Sequence, residues 1–160
     1  FGFLLATNAI IVVFFQFPIA NRIKKYKPMK VMAFGSLIYL IGFGMYGFIS
    51  EVYLFFIAMI IITIGEMIVM PLSQRAVGLL APEDKRGRYM ALFGFSWAIP
   101  SIFGVILAGL VMDYIGPNFV WYFAAILSFI SFIGLWFLHP PMEKRLENKG
   151  NLEEREDVPY

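Results

Sequence analysis

Residues 60–74 read IIITIGEMIVMPLSQ, an apolar run suited to hydrocarbon that carries one glutamate, Glu66, near its middle. The rest of the chain has the same character, because 60% of its 160 residues are hydrophobic and only 15% are charged. An ordinary soluble domain carries about a quarter charged residues. The composition therefore predicts a membrane protein, and the acid at position 66 is the feature that needs a physical explanation.

Outward from this run, polar segments divide the chain into five apolar stretches, each close to the ~20 residues with which a helix crosses ~30 Å of hydrocarbon. A segment that crosses a bilayer must satisfy its backbone hydrogen bonds internally, so residues 1–140 are predicted to form an all-α, polytopic membrane helix bundle. Residues 141–160 are polar and charged, and they are predicted to form a disordered tail. The predicted spans are residues 1–19, 31–49, 53–72, 89–112 and 119–138.

The thirteen basic residues fall into three groups, while the connections at 50–53 and 113–118 contain none. By the positive-inside rule, the segments that hold them face the cytoplasm, so the tail is predicted to be cytoplasmic and the protein to lie in the cell membrane. With five spans the N-terminus then lies outside, and the chain is interpreted as a piece of a longer protein. The basic residues are Arg22, Lys24, Lys25, Lys27, Lys30, Arg75, Lys85, Arg86, Arg88, Lys144, Arg145, Lys149 and Arg155.

Several classes of function are disfavoured by what the sequence lacks. It has no Cys and one His, which argues against disulfides, thiolate metal sites and haem, and no metal or other cofactor is expected. The net charge of +2 comes from the loops and does not indicate nucleic acid. One intramembrane carboxylate without a nearby His or Cys does not provide a catalytic constellation, so the chain is predicted not to be an enzyme.

Glu66 lies thirteen residues from Tyr53 and nine from Arg75, or about 20 Å and 14 Å along a helix. An ionised acid at this depth costs at least ~2.5–3.5 kcal/mol, and no basic residue lies at matching depth in the five spans. Two interpretations remain. In the first, Glu66 faces a cavity where it exchanges a proton or meets a cationic ligand; in the second, it is permanently protonated and holds a neighbouring helix by a hydrogen bond.

The neighbours of Glu66 favour the first interpretation. Thr63, Met67, Met70 and Gln74 stand at i−3, i+1, i+4 and i+8, and this mixture of soft and polar side chains is typical of an adaptable pocket wall. The other candidates for a proton or substrate site are Asn8 and Gln16 in the first span and Trp97 in the fourth. Spans one and three are therefore expected to line a water-accessible cavity, with spans two and five at the periphery of the bundle. Bends at Pro71 and Pro100 are predicted to act in gating.

Two long stretches resemble a known family. GEMIVMPLSQRAVGLLAPEDKRGRYMALFGFSWAIPSIFGVILAGLVMDYIGP (65–117) is similar to the tenth helix, cytoplasmic loop and eleventh helix of the major facilitator superfamily, in its drug:proton antiporter branch. NAIIVVFFQFPIANRIKKYKPMKVMAFGSLIYLIG (8–42) resembles the eighth helix, a basic loop and the ninth. That loop keeps Arg22 but lacks the glycine and aspartate of the family's loop motif.

The resemblance implies that the chain holds helices eight to twelve of a twelve-helix transporter. It implies alternating access between two six-helix halves, with protons, a small-molecule substrate, the lipid bilayer and the missing N-terminal half as partners. The expected function is proton-coupled efflux of multiple drugs or small amphipathic compounds; the alternative is an importer or uniporter of sugars or other metabolites. The resemblance also implies gating or loop roles for Arg22, Arg86, Gly87 and Arg88. For Arg86 and Arg88 the alternative is that they set the membrane topology and contact lipid phosphates.

Overall fold

The computed structural model of the chain describes residues 2–156, without the side chains of 146, 147 and 149–156. Over that range it contains five long α-helices, one short 3-10 turn at Glu83–Lys85 and no strand. Each long helix is long and apolar enough to cross a membrane, which confirms the predicted all-α bundle of five spans. The helices are α1 (Gly2–Ile23), α2 (Pro28–Phe48), α3 (Val52–Leu80), α4 (Arg86–Tyr114) and α5 (Pro117–Glu156).

Four helices end beyond their predicted spans, and the largest extensions are those of α3 and α5. Helix α3 continues beyond Leu72 to Leu80, because no proline lies between those residues, even though Arg75 marks the end of the apolar run. Helix α5 passes through Pro140 and Pro141 and continues to Glu156, where the sequence predicts a disordered tail. The extension is rich in Glu, Lys, Leu and Arg, which are good helix formers. Residues 157–160 of the predicted tail lie outside the described residues.

Short connections make consecutive helices run in opposite directions, so the bundle has two distinct ends. One end, the basic end, carries the connections at residues 24–27 and 81–85 together with the C-terminal part of α5. The opposite end carries the connections at 49–51 and 115–116, and the turn there requires Gly116 at φ 137°, a conformation that costs glycine little. At the basic end, Arg75 Nη1 donates to the Lys24 carbonyl oxygen at 2.9 Å and ties the α1–α2 connection to α3.

The core of the described bundle lies along α2, which packs against α3 on one side and α5 on the other. Glycines allow the close crossing of α2 and α3, since a Cβ on Gly65 would lie 3.2 Å from the Gly35 carbonyl oxygen. Helix α1 packs against α3, whereas α4 touches α3 and α5 lightly and buries none of its residues. The faces of α1 and α4 are therefore left open to lipid or to further protein.

Aromatic and hydroxyl side chains join α2 to α5. The rings of Tyr46 and Trp121 stack with their centroids 4.5 Å apart, near the opposite end. Tyr122 Oη donates to the Gly47 carbonyl oxygen at 2.6 Å, and its ring fills the space where a side chain at Gly47 would stand. Polar groups are thus satisfied inside the apolar interface, as hydrocarbon surroundings require.

Replacing Gly42 by valine is expected to destabilise the bundle. A Cβ at Gly42 would lie 2.5 Å from Ile62 Cγ1 and 3.2 Å from the Ile62 backbone nitrogen, so the helices would have to separate. Overpacking of this kind costs about 1–3 kcal/mol of unfolding free energy. The matched control is Gly44→Val, because a Cβ at Gly44 would meet nothing within 4 Å. Thermal unfolding of the purified protein in detergent checks this; equal midpoints for both variants would contradict the described crossing.

Candidate functional site

The candidate site is a hydrogen-bonded group of three side chains between α1 and α3. Asn8 Nδ2 donates to Glu66 Oε2 at 2.9 Å and to Thr63 Oγ1 at 3.0 Å. The Thr63 hydroxyl in turn donates to the Met59 carbonyl oxygen at 2.7 Å. The structure therefore brings together three of the predicted site residues. Asn8 of α1 is 55 positions from Thr63 and 58 positions from Glu66 in the sequence.

The direction of these hydrogen bonds follows from donor chemistry. A carbonyl oxygen can only accept, so the Thr63 proton points to Met59 and the Thr63 oxygen must accept from Asn8. Asn8 therefore presents its amide NH₂ to both partners, and Glu66 Oε2 is an acceptor. In the described part of the chain, no group donates to the second carboxylate oxygen, Oε1, and no ion pair involves Glu66. Glu66 is anchored through one oxygen while the other is available.

Glu66 opens into a groove of about 260 Å³ between α1 and α3. Glu66, Met70 and Gln74 follow one another at steps of four residues on one face of α3, so the groove runs ~12 Å along the helix toward the basic end. Apolar, amide and carboxylate surfaces meet in it. The lining residues are Val12, Gln16, Glu66, Met70, Pro71 and Gln74.

Pro71 creates a second polar contact in the groove. Because proline lacks an N–H, it leaves the carbonyl oxygen four residues earlier, at Met67, without its usual helical donor. Gln16 Nε2 of α1 donates to that oxygen across a long hydrogen bond of 3.5 Å. The proline thus couples α3 to α1 through a backbone carbonyl that lacks its helical donor, and Asn8 and Gln16 hold α3 at two points two turns apart on α1.

The remaining predicted residues occupy different places. The Met67 side chain is 1% exposed and packs in the core, so only its carbonyl group takes part in the site. Trp97 is 46% exposed on α4 and does not line the groove.

The predicted gating residues lie outside the groove as well, except for Pro71. Arg22, Gly87 and Arg88 are exposed at the basic end, Arg86 lies 3.8 Å from Glu83, and Pro100 is exposed midway along α4.

The structure also places residues that the sequence interpretation missed. Tyr39 of α2 packs against Gly65, where a Cβ would lie 3.3 Å from the ring, and its phenol is within electrostatic range of Glu66. At the basic end, His139 Nε2 and Glu143 Oε2 lie 3.8 Å apart on α5 with neither atom hydrogen-bonded among the described residues. The i, i+4 spacing of His139 and Glu143 could have been recognised in the sequence, but Glu143 lies in the segment predicted to be disordered.

Five membrane-length helices, with a carboxylate that lines a groove between two of them, are the architecture of a polytopic membrane protein. Comparison with known families identifies the family within that class. The sequence profile of the Major Facilitator Superfamily matches residues 1–159, and the chain belongs to that superfamily. The resemblance expected from the sequence is confirmed.

Relatives with curated names are transporters. The chain is 30% identical over 142 residues to a Na(+), Li(+), K(+)/H(+) antiporter of Planococcus maritimus, covering 87% of this chain and 33% of that protein. It is 27% identical over 127 residues to the multidrug efflux pump SdrM of Staphylococcus aureus, covering 79% of this chain and 28% of that one. Multidrug resistance protein 3 of Bacillus subtilis is 25% identical over 124 residues, covering 78% and 24%.

The chain spans about a third or less of the length of these relatives. No solved structure matches it. The comparisons therefore establish the family.

Proposed function

We propose that the chain is the C-terminal portion, helices eight to twelve, of a proton-coupled secondary transporter that exports multiple drugs or other small amphipathic compounds by alternating access. It acts as a carrier and not as an enzyme. The observation that supports this most strongly is the Glu66 carboxylate, which accepts from Asn8 through Oε2 and belongs to a residue that lines a groove of about 260 Å³. An acid in this position can load a proton without breaking its anchor.

The proposed coupling follows from that geometry. When a proton binds at Oε1, Oε2 still accepts from Asn8, so the same contact persists in both protonation states. Only the charge at the end of the groove changes, and a cationic or amphipathic substrate is attracted when Glu66 is ionised and released when it is protonated. Met70 and Val12 offer apolar surface to such a substrate, while Gln16 and Gln74 offer amide groups.

A second candidate function is exchange of monovalent cations for protons. The groove presents carboxylate and amide oxygens, which are the hard donors that small cations prefer. The relative from Planococcus maritimus is named for exchange of such ions. The groove also has apolar walls at Val12, Met70 and Pro71, and these favour an amphipathic organic substrate over a bare ion.

A pH-gradient assay on the full-length protein distinguishes the candidates. Everted vesicles that contain the protein are energised to an acidic interior, and recovery of a pH-sensitive dye is followed after each addition. Drug export predicts recovery on adding an amphipathic cation such as ethidium, and cation exchange predicts recovery on adding Na⁺, Li⁺ or K⁺. Uptake of a neutral sugar that leaves the gradient unchanged would support an importer or uniporter and contradict the proposal.

The proposed orientation places the basic end, and with it the C-terminal tail, in the cytoplasm. Cysteine labelling tests this orientation in a full-length protein from which any cysteine outside these 160 residues has been removed, because the 160 residues contain none. Lys25→Cys at the basic end and Ser50→Cys at the opposite end are both exposed positions. A membrane-impermeant thiol reagent applied to intact cells is expected to label the variant at position 50 alone; labelling of position 25 alone would reverse the orientation.

A further inference from the structure

A buried pair of titratable side chains, separate from Glu66, lies at the basic end of α5. His139 Nε2 and Glu143 Oε2 are 3.8 Å apart, which is within ion-pair distance but too far for a hydrogen bond. The two side chains are 18% and 8% exposed, and neither atom has a hydrogen-bond partner among the described residues. Buried polar atoms without such a partner are uncommon, so the pair requires an explanation.

The pair spans a weak point of α5. Pro140 and Pro141 lie inside the helix between the two side chains. Because proline has no N–H, the carbonyl oxygen four residues before each proline loses its usual helical donor. The contact between His139 and Glu143 is therefore a side-chain link across a segment in which the backbone hydrogen bonds are interrupted.

The burial of the pair comes from the packing of α5 on α2, its main partner. The two helices run in opposite directions, and Ser36 Oγ lies 3.2 Å from Ser131 Oγ. Counting eight residues from this contact along both helices places His139 level with Pro28, at the buried start of α2. Glu143 lies one turn farther, at the level of the α1–α2 connection, and it is 6% exposed.

Other charged groups of both signs lie at the basic end on the elements that pack against α5. Among the described residues, none of them is within ion-pair distance of Glu143. Exposed charges are screened by water and salt, so they shift the pH at which the pair titrates but do not replace its buried partner. These groups are Lys24, Lys25, Lys27 and Lys30 around the start of α2, Arg75 on α3, Glu83, Asp84, Lys85, Arg86 and Arg88 around the start of α4, and Lys144, Arg145, Glu147, Lys149, Glu153, Glu154, Arg155 and Glu156 on α5 itself.

Burial determines how many protons the pair holds. With no proton to share, Glu143 is a buried carboxylate without a counter-charge; with two, His139 is a buried imidazolium without one; with a single proton, the pair has no net charge. A buried charge is costly unless it is paired, and removing one partner of a buried pair is strongly destabilising. Imidazole ordinarily changes its charge between about pH 5 and 8. The packing of this part of α5 on α2 is therefore favoured while one proton is bound.

We propose that His139 and Glu143 form a second proton-binding site, and that the bound proton holds the C-terminal part of α5 against the start of α2. Away from α2 both side chains are hydrated and each charge state is tolerated, so this docking of α5 takes up a proton and is lost as the pH rises. In the orientation proposed above, the site responds to the pH of the cytoplasm. Only that last statement rests on the proposed function.

The test measures docking as the distance between two spin labels in the full-length protein, from which any other cysteine has been removed. Labels at Tyr26→Cys and Asn148→Cys replace exposed side chains on the α1–α2 connection and on the C-terminal part of α5. Double electron–electron resonance is expected to show one narrow distance distribution at about pH 5–6 and a second, broader one toward pH 8. The ratio of docked to undocked protein is expected to fall by up to about tenfold per pH unit. A distribution that does not change over this range would overturn the proposal.

Neutral variants are expected to change the pH dependence in different ways. Glu143→Gln removes the carboxylate, so docking is expected at high pH and is lost as His139 gains its charge at low pH, the reverse of the unsubstituted protein. His139→Gln leaves the carboxylate without a partner, so the undocked distribution is expected at neutral pH. His139→Gln/Glu143→Gln has no charge at either position and is expected to remain docked at every pH. Loss of docking in all three variants without pH dependence would mean a purely structural role and would overturn the site.

Two controls separate this site from other charges. Asp84→Asn removes the charge of an exposed acid at the same end and is expected to keep the pH dependence of the unsubstituted protein. A response like that of Glu143→Gln would assign the effect to the overall charge of the basic end and would overturn the proposal. Glu66→Gln is also expected to keep the pH-dependent docking, because the distance does not depend on transport; loss of the pH dependence there would assign the proton to Glu66.

Discussion

Glu66→Gln is expected to reduce proton-driven transport to the level of vesicles without the protein, while membrane insertion and folding persist. Glutamine keeps the size of the side chain, and its amide oxygen can still accept the hydrogen bond that Asn8 donates to Oε2. It cannot take up or release a proton. Coupling is therefore lost while the contact between α1 and α3 is kept.

Two measurements separate this result from a general defect. Exchange of labelled substrate across vesicles without a pH gradient needs only alternating access, and it is expected to continue in Glu66→Gln. Glu51→Gln is the matched control, because Glu51 is an exposed acid at the start of α3 and undergoes the same chemical change. Unchanged proton-coupled transport in Glu66→Gln would leave Glu66 with the purely structural role of holding a neighbouring helix.

Asn8→Ala is expected to have the second largest effect, a decrease in proton-driven transport of about ten- to a hundredfold. Asn8 supplies the donor to Glu66 Oε2, and displacing a reacting group by about 1 Å can reduce a rate about a hundredfold. Its loss leaves the carboxylate without a fixed position in the groove. The initial rate of gradient dissipation in everted vesicles measures the effect.

Thermal unfolding of the Asn8→Ala variant distinguishes a role of Asn8 in positioning Glu66 from a role in stabilising the bundle. Hydrogen bonds between membrane helices contribute about 0.6 kcal/mol to stability on average, so thermal unfolding should change little while transport falls steeply. Thr7→Ala is the control, since the Thr7 hydroxyl donates at 2.9 Å to the Phe3 carbonyl oxygen of its own helix. A large loss of thermal stability in Asn8→Ala with a proportionate loss of transport would make Asn8 a structural residue.

The spans were predictable because length and apolarity are local properties. All five were found, but the ends of α3 and α5 were not, since a charged residue such as Arg75 marks the edge of hydrocarbon and not the end of a helix. Good helix formers beyond Pro141 extended α5 into the segment where polarity alone predicts disorder. Helix ends are decided by backbone propensity, which the hydropathy pattern does not measure.

The sequence indicated which residues belong to the site but not which of them contact one another. Polarity inside the spans singled out Asn8, Gln16, Thr63 and Glu66, but their contacts depend on the packing of α1 against α3, which has no local signature. Trp97 was singled out by the same criterion and does not line the groove. One pairing was readable in retrospect, because Pro71 frees the Met67 carbonyl and a nearby amide is the natural donor.

Infrared difference spectroscopy of the reconstituted full-length protein tests the central role of Glu66 most directly. The carbonyl stretch of a protonated carboxyl group is recorded before and after substrate is added, in H₂O and in D₂O. The expected result is a protonated carboxyl band that shifts in D₂O, disappears when substrate binds and is missing from Glu66→Gln. A band that neither shifts in D₂O nor changes with substrate would show a carboxyl group sealed from water, and it would contradict proton exchange at this site.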